Sequence, residues 1–497
     1  MSRREKLLLN TGTGLLKQLT VVICGFILPR YMLLYYGSAV NGVIASITHF
    51  LSFISLLDMG VGAVVQANLY KPLASKDNDL LSMILKSSER FFRRLAYIFI
   101  GYIAVLCFIF PTMVEGDFSR LYTISLLLII SVSTLAQYLL GMTNELLLNA
   151  DQKSYVQQTM QIGTIVLNTV LAVLLMNMGA SVHIVKLVTA SVYVLRPIGQ
   201  MIYVHKHYDI NNKIKLYGEP IKQKWNGFSQ HLAAVICQNV DVAVLTLFST
   251  LANVSIYSVY FNVTNGVTQI IMAGTTGLES LFGNMIARNE DEKLLQVFDA
   301  VEWLIHATVI LIFTSAAIMI TPFISVYTRG ITDADYIVPL FGILLVMAYG
   351  FRCLRIPYFI VIKAAGHFRE TQNGAYIAAC INVVMTVVLV SKFGLIGAAS
   401  GTLAAMLYHT CYFVWYLRKH ILQRSVKYFV KHMITNLAAA IAAYVLTRNF
   451  VLESVSYISW IFLATKTTLV VFVVTIVVNV VVYRQQVKDV LKLLRRT

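Results

Sequence analysis

No segment of this chain stays polar for long enough to build a soluble domain. Only 13% of its 497 residues are charged, 58% are hydrophobic and the mean hydropathy is +0.72, more apolar surface than a water-soluble fold can bury. Cysteine is scarce too. Cys24, Cys107, Cys237, Cys353, Cys380 and Cys411 have no CxxC spacing and no clustered histidines, which argues against a metal site and leaves them as small packing residues. There is no GxxxxGK[ST] loop for ATP. The connections between apolar runs are too short for a catalytic domain and hold no DxD-like carboxylate pair with a Gly-rich partner. A membrane glycosyltransferase or polymerase is therefore disfavoured, and neither enzymatic activity nor a cofactor is expected.

What fills the chain is a succession of apolar runs of roughly twenty residues, each able to cross a hydrocarbon core of about 30 Å as a helix. They lie near 8–36, 40–67, 91–112, 119–148, 154–177, 182–204, 225–249, 253–287, 298–322, 335–363, 370–391, 394–417, 429–449 and 456–483. The pattern predicts an all-α polytopic membrane protein with 14 transmembrane helices. Met1-Ser-Arg-Arg-Glu-Lys resembles the start of a signal peptide, but the apolar run that follows is too long and lacks a small-residue cleavage site, so no cleavage is expected.

Acidic residues are the minority, 23 against 40 basic ones, and the net charge of +17 would suggest nucleic acid in a soluble chain. Position decides otherwise. With the N-terminus cytoplasmic, 29 basic residues fall in inner segments, four in outer loops and seven within spans, as the positive-inside rule requires. The excess reads as topology and attraction to anionic lipid heads, not as a nucleic-acid surface. Both termini are expected in the cytoplasm.

Sliding the chain against itself finds a register of 214 residues that holds without gaps. Asn168 falls on Asn382, Gln158 on Gln372, Tyr122 on Tyr336, Gly60 on Gly274 and Asp77 on Asp291. The shift maps the spans of 8–204 onto those of 225–418 in the same orientation. Six spans per copy is an even number, so the copies should be related by an axis along the membrane normal, as two lobes around a central cavity. The domain reading is a six-helix lobe over 1–208, a cytoplasmic linker over 209–224, a second lobe over 225–418, and two further helices with a tail over 419–497.

Ionisable groups inside a span cost about 2.5–3.5 kcal/mol each on insertion scales, so each is a candidate functional residue. Arg352 and Arg355, three apart, share a helical face near the middle of the tenth span, where neither can easily snorkel, and are the foremost candidates. Lys17 and Arg30 lie among Gly12, Gly14, Gly25 and Pro29 on the first span, and Arg196 precedes Pro197; for these, substrate contact and internal pairing are both open. Lys186 and Lys466 read as snorkelling. Among the carboxylates, Asp58 sits at the depth of Lys17 and could pair with it, and Asp241 follows Asn239 and could bind a proton or a sodium ion. Glu145 and Glu302 lie near cytoplasmic ends, where exposure is expected, although Glu145 could also pair with a basic neighbour. His49, His306 and His409 are isolated in their spans and are assigned no role.

Four segments stand out: Phe53-Ile-Ser-Leu-Leu-Asp58-Met-Gly60, Leu148-Asn-Ala-Asp-Gln-Lys153, Asn239-Val-Asp241 followed by Ala252-Asn-Val-Ser-Ile-Tyr257, and Gly394-Leu-Ile-Gly397-Ala-Ala-Ser-Gly401-Thr402. They resemble stretches of the Wzx-type polysaccharide flippases of the multidrug, oligosaccharidyl-lipid and polysaccharide exporter superfamily. The resemblance implies fourteen helices as six, six and two, and an undecaprenyl-diphosphate-linked oligosaccharide as substrate, flipped across a bacterial cytoplasmic membrane by alternating access. Arg352, Arg355, Lys17, Arg30 and Arg196 would then hold the substrate, and Asp58, Asp241 and Glu145 would couple ions or pair structurally. Coupling to a proton or sodium gradient is optional, because the membrane potential alone can drive an anion outward. The expected partners are that lipid-linked substrate, membrane lipids, a polysaccharide polymerase and glycosyltransferases, with the transporter itself a monomer. Rival readings are a drug or cation antiporter of the same superfamily, which should line its cavity with carboxylates and aromatics, and a flippase for the peptidoglycan precursor.

Overall fold

The computed structural model describes residues 3–58, 61–114, 116–211, 228–275 and 277–484, and no strand occurs among them. The helices are α1 Arg3–Ser52, α2 Val61–Ser75, α3 Asn78–Met113, α4 Arg120–Ala136, α5 Met142–Ala150, α6 Ser154–Asn177, α7 Val182–His207 and α8 Phe228–Phe248. There follow α9 Leu251–Gly274, α10 Leu278–Ala287, α11 Asp291–Tyr327, α12 Pro339–Leu354, α13 Ile356–Ala364, α14 Gln372–His420, α15 Lys427–Thr447 and α16 Tyr457–Val482. Among the described residues eleven helical stretches are long and apolar enough to cross a membrane, so this is a multi-pass membrane protein.

Local chemistry marks the breaks. Asp77 accepts from the Leu80 amide at 2.9 Å to start α3, and Ser119 accepts from that of Tyr122 at 3.3 Å to start α4. The two longest helices are each bent once, at Gly37 (φ 81°) in α1 and at Gly394 (φ 52°) in α14, in left-handed backbone that glycine adopts without a Cβ penalty. A π-turn, Gln137–Gly141, joins α4 to α5. Between α12 and α13 the helix breaks at Arg355, two residues before Pro357, which has no amide to continue the hydrogen-bond ladder.

The chain forms two compact units. One comprises Met1–Val235 with Thr250–Ser255, the other Ile236–Ser249 with Ile256–Thr497, so the division falls inside α8. In the first, α1 lies along α6, α6 and α4 pack on α7, and α2 packs on α3 and α5. Its odd segment is gripped closely: a Cβ on Gly42 would lie 1.9 Å from the Leu251 carbonyl oxygen, and Asn41 donates to Ser255 Oγ at 2.8 Å. In the second unit α12 packs on α14 and α11, and α11 also meets α15 and α16.

Helix order recurs at the 214-residue shift. α3 and α11 begin and end within one residue of it, as do α7 and the part of α14 after Gly394. The π-turn ending at Gly141 corresponds to the break at Arg355. Of the expected linker, residues 212–224 lie outside the described residues.

A polar clasp joins three parts of the first unit. Asp151, in the connector after α5, meets Lys153 Nζ at 2.7 Å and Lys6 Nζ at 3.3 Å, and accepts from the Tyr208 hydroxyl at 2.6 Å. Burial pushes the Asp151 carboxyl up, but hydrogen bonds from Lys153 and Tyr208 and the charges of Lys153 and Lys6 outweigh it and hold the group below its ordinary value. A depressed carboxylate stabilises the fold at neutral pH and loses that contribution as pH falls through its folded value. Asp151→Asn is therefore expected to lower thermal stability at neutral pH and to flatten the acid limb of a stability-versus-pH profile. An unchanged acid limb would show that the clasp contributes nothing.

Candidate functional site

In the second unit the broken helix α12–α13 carries both arginines. Arg355 stands at the break, half-buried, where it donates through Nη1 to His409 Nδ1 of α14 and lies 5.6 Å over the Phe413 ring. Arg352, one turn earlier and also half-buried, lies 5.8 Å over Tyr349. The two guanidinium groups are within electrostatic range of each other and of Cys237 on α8. A guanidinium held by an imidazole and aromatic faces keeps its positive charge and spare donors, and among the described residues no carboxylate pairs with either arginine. The pair is thus a desolvated cationic site rather than an ion pair. Arg355 keeps helical backbone, and its amide donates to the Phe351 carbonyl at 3.1 Å, so the break at Pro357 falls just beyond the turn that holds both arginines.

Asp241 lies in the same unit and is buried to 1% exposure. Tyr257 donates to Oδ2 at 2.8 Å and Thr386 to Oδ1 at 3.2 Å, while Thr402 also donates to Oδ2. Asn382 donates to Thr402 Oγ1 at 3.2 Å, and its own Oδ1 is buried without a partner. Four elements supply these groups: α8, α9 and the two halves of α14, which the bend at Gly394 folds back on each other. The halves meet closely at Gly401, where a Cβ would lie 2.5 Å from Thr386 Oγ1. A carboxylate ringed by hydroxyls and an orphaned amide oxygen is an all-oxygen donor set, which suits a proton or a hard monovalent cation such as sodium.

Gly401→Ala should push Thr386 away from Asp241 and cost about 1–3 kcal/mol of stability through overpacking. A thermal-unfolding midpoint equal to that of the parent chain would contradict this close packing.

The first unit carries the other candidates on separate helices. Beside the π-turn, Glu145 of α5 accepts from Gln157 at 2.5 Å and from Gln137 at 2.9 Å, and lies 4.0 Å from Arg196 of α7. Arg196 is thus placed with Glu145, the structural pairing left open above. Lys17 and Arg30 are half-buried on α1, either side of the middle of its first arm. The Lys17–Asp58 pairing involves a side chain outside the described residues.

Two expectations change. His409, given no role, holds Arg355; the partners are 54 residues apart, and only the fold brings them together. Glu302, expected to be exposed, has 0% exposure because Tyr358 and Arg424 close over it.

Solved structures share this all-helical architecture, with broken helices at equivalent places in its two halves. The chain matches the lipid II flippase MurJ in an inward closed conformation at 14% identity and a TM-score of 0.74, over 97% of this chain and 100% of that one. It matches an inward-facing multidrug resistance MATE family transporter of the MOP superfamily at 13% identity and a TM-score of 0.58, over 80% and 93%. A variant of the Vibrio cholerae MATE transporter VcmN matches at 13% identity and a TM-score of 0.54, over 84% and 100%. The chain shares the fold of these structures. No protein-family model and no curated protein sequence matches it.

Proposed function

We propose that this protein is a flippase that moves an undecaprenyl-diphosphate-linked oligosaccharide from the inner to the outer leaflet of a bacterial cytoplasmic membrane by alternating access. The observation that carries the reading is the Arg352–Arg355 pair: two un-neutralised guanidinium groups at a helix break within an apolar unit. Forked donors of this kind match the oxygens of a diphosphate, which crosses hydrocarbon only if its charges find partners. Lys17, Arg30 and Arg196 are the further candidates for substrate contact, and Asp241 would bind the coupling ion, proton or sodium.

Similarity to a lipid flippase over nearly the full length supports a lipid-linked substrate. Fourteen spans in two six-helix lobes over 1–208 and 225–418, with a final pair, fit the eleven long apolar stretches once the bends at Gly37 and Gly394 and the α9–α10 stretch are counted. Each negative charge leaving an inside-negative cell gains about 2.3 kcal/mol per 100 mV, so the potential can contribute to export.

The test is reconstitution in liposomes with a fluorescent polyprenyl-diphosphate oligosaccharide on one leaflet. Protein-dependent appearance of the sugar on the opposite leaflet is the expected result. Efflux of a cationic dye with no movement of the oligosaccharide would assign the chain to drug antiport instead.

A further inference from the structure

Beyond the arginine pair and Asp241, the second unit holds another charged cluster, where α11, α13, α15 and α16 meet. Its centre is Glu302, fully buried. Arg424 Nη1, from the connector between α14 and α15, lies 2.6 Å from its Oε2, and His432 Nε2 of α15 lies 3.5 Å from the same oxygen. Tyr358 of α13 donates to Oε1. Asp299, one turn before Glu302, lies 3.0 Å from Arg424 Nε. His306, one turn after it, stacks edge-on against His432 at 5.2 Å, and Tyr483 lies parallel to the His432 ring at 4.8 Å.

The charges do not balance with neutral imidazoles. Among the described residues two carboxylates, buried Glu302 and partly exposed Asp299, face a single guanidinium, which leaves the cluster with one net negative charge. A proton on an imidazole closes the balance. His306 offers a second acceptor: its Nε2 meets the Leu354 carbonyl at 3.2 Å and so carries the hydrogen, while its Nδ1 is buried without a partner, in a residue only 1% exposed. Exposure also falls stepwise inward, from 35% for the Asp299 side chain to 10% for Arg424, 6% for His432 and 0% for Glu302. Asp299 is thus the carboxylate that water reaches, and Glu302 the innermost group.

We propose that the Glu302 cluster is a proton-binding site, separate from Asp241, which holds one exchangeable proton on the His432–Glu302 pair with His306 Nδ1 as alternate acceptor. Proton uptake passes from water to Asp299, then to Glu302 and His432, with Arg424 and Tyr358 fixing the carboxylate throughout. Occupancy sets the charge between α11 and the α15–α16 pair, so the site makes the seating of the last two helices depend on pH.

The test uses the full chain in lipid nanodiscs with histidine ring nitrogens labelled, and His306→Asn and His432→Asn to assign the signals. The expected result is a pH-dependent step in the His432 and His306 ring signals that is lost in Glu302→Gln. If Glu302→Gln does not insert, Tyr358→Phe removes one donor from Glu302 without changing charge and should displace the step. Ring signals that stay fixed over the whole pH range in which the chain is folded, or a step unaltered in whichever variant inserts, would overturn the proposal.

Discussion

Replacing both Arg352 and Arg355 by alanine is expected to abolish surface glycan in cells while protein abundance and membrane insertion stay near normal, with lipid-linked precursor accumulating on the inner leaflet. The expectation rests on what the two side chains touch. Arg355 meets an imidazole and a phenyl face, and Arg352 a tyrosine ring, so among the described residues their removal strands no buried carboxylate. Loss of a true buried ion-pair partner would instead cost about 3–5 kcal/mol and deplete the protein. Lysine at both positions should restore only part of the activity, because a point charge cannot make the forked contact. Abundance must be measured with export: normal amounts of inactive transporter support substrate binding, whereas retained export would make the pair structural.

The second large effect is expected at Asp241. Asp241→Asn keeps the side chain's shape and an acceptor for the surrounding hydroxyls but removes the charge; it should leave the protein folded and make transport insensitive to sodium and proton gradients. Asp241→Ala should be harsher. It leaves the buried hydroxyls of Tyr257, Thr386 and Thr402 without their shared acceptor, each at about 1–3 kcal/mol if no substitute is found. Gradient-driven transport that persists unchanged in the folded Asn variant would remove Asp241 from coupling and leave the membrane potential as the driving force.

Hydropathy alone located the helices, because lipid imposes a length and an apolar composition that can be read in one dimension. The 214-residue register was legible for a similar reason: connectors and helix ends repeat in step, and α3 and α11 show it to within a residue. Arg352, Arg355 and Asp241 stood out as ionisable groups in apolar runs, a signal independent of the fold. Their partners carried no such signal. Thr386 and Thr402 are unremarkable residues until Gly394 folds α14 back, and Arg424 reads as one of many basic residues in an inner loop although it lies 122 residues from the Glu302 it neutralises. The break before Pro357 falls inside the run read as one span over 335–363, since a proline in an apolar run does not by itself end a membrane helix.

The division of the chain inside α8 bears on its biogenesis. Thr250–Ser255 belongs with the first unit, where Leu251 lies against Gly42 and Ser255 takes the hydrogen bond of Asn41. A nascent chain that has delivered α1 to α7 into the bilayer therefore still lacks a surface on which the second arm of α1 seats. Until Leu251 is in place, Gly42 lacks the backbone it packs against. A gene cut in the connector after α7 would divide the first unit itself rather than separate two finished halves.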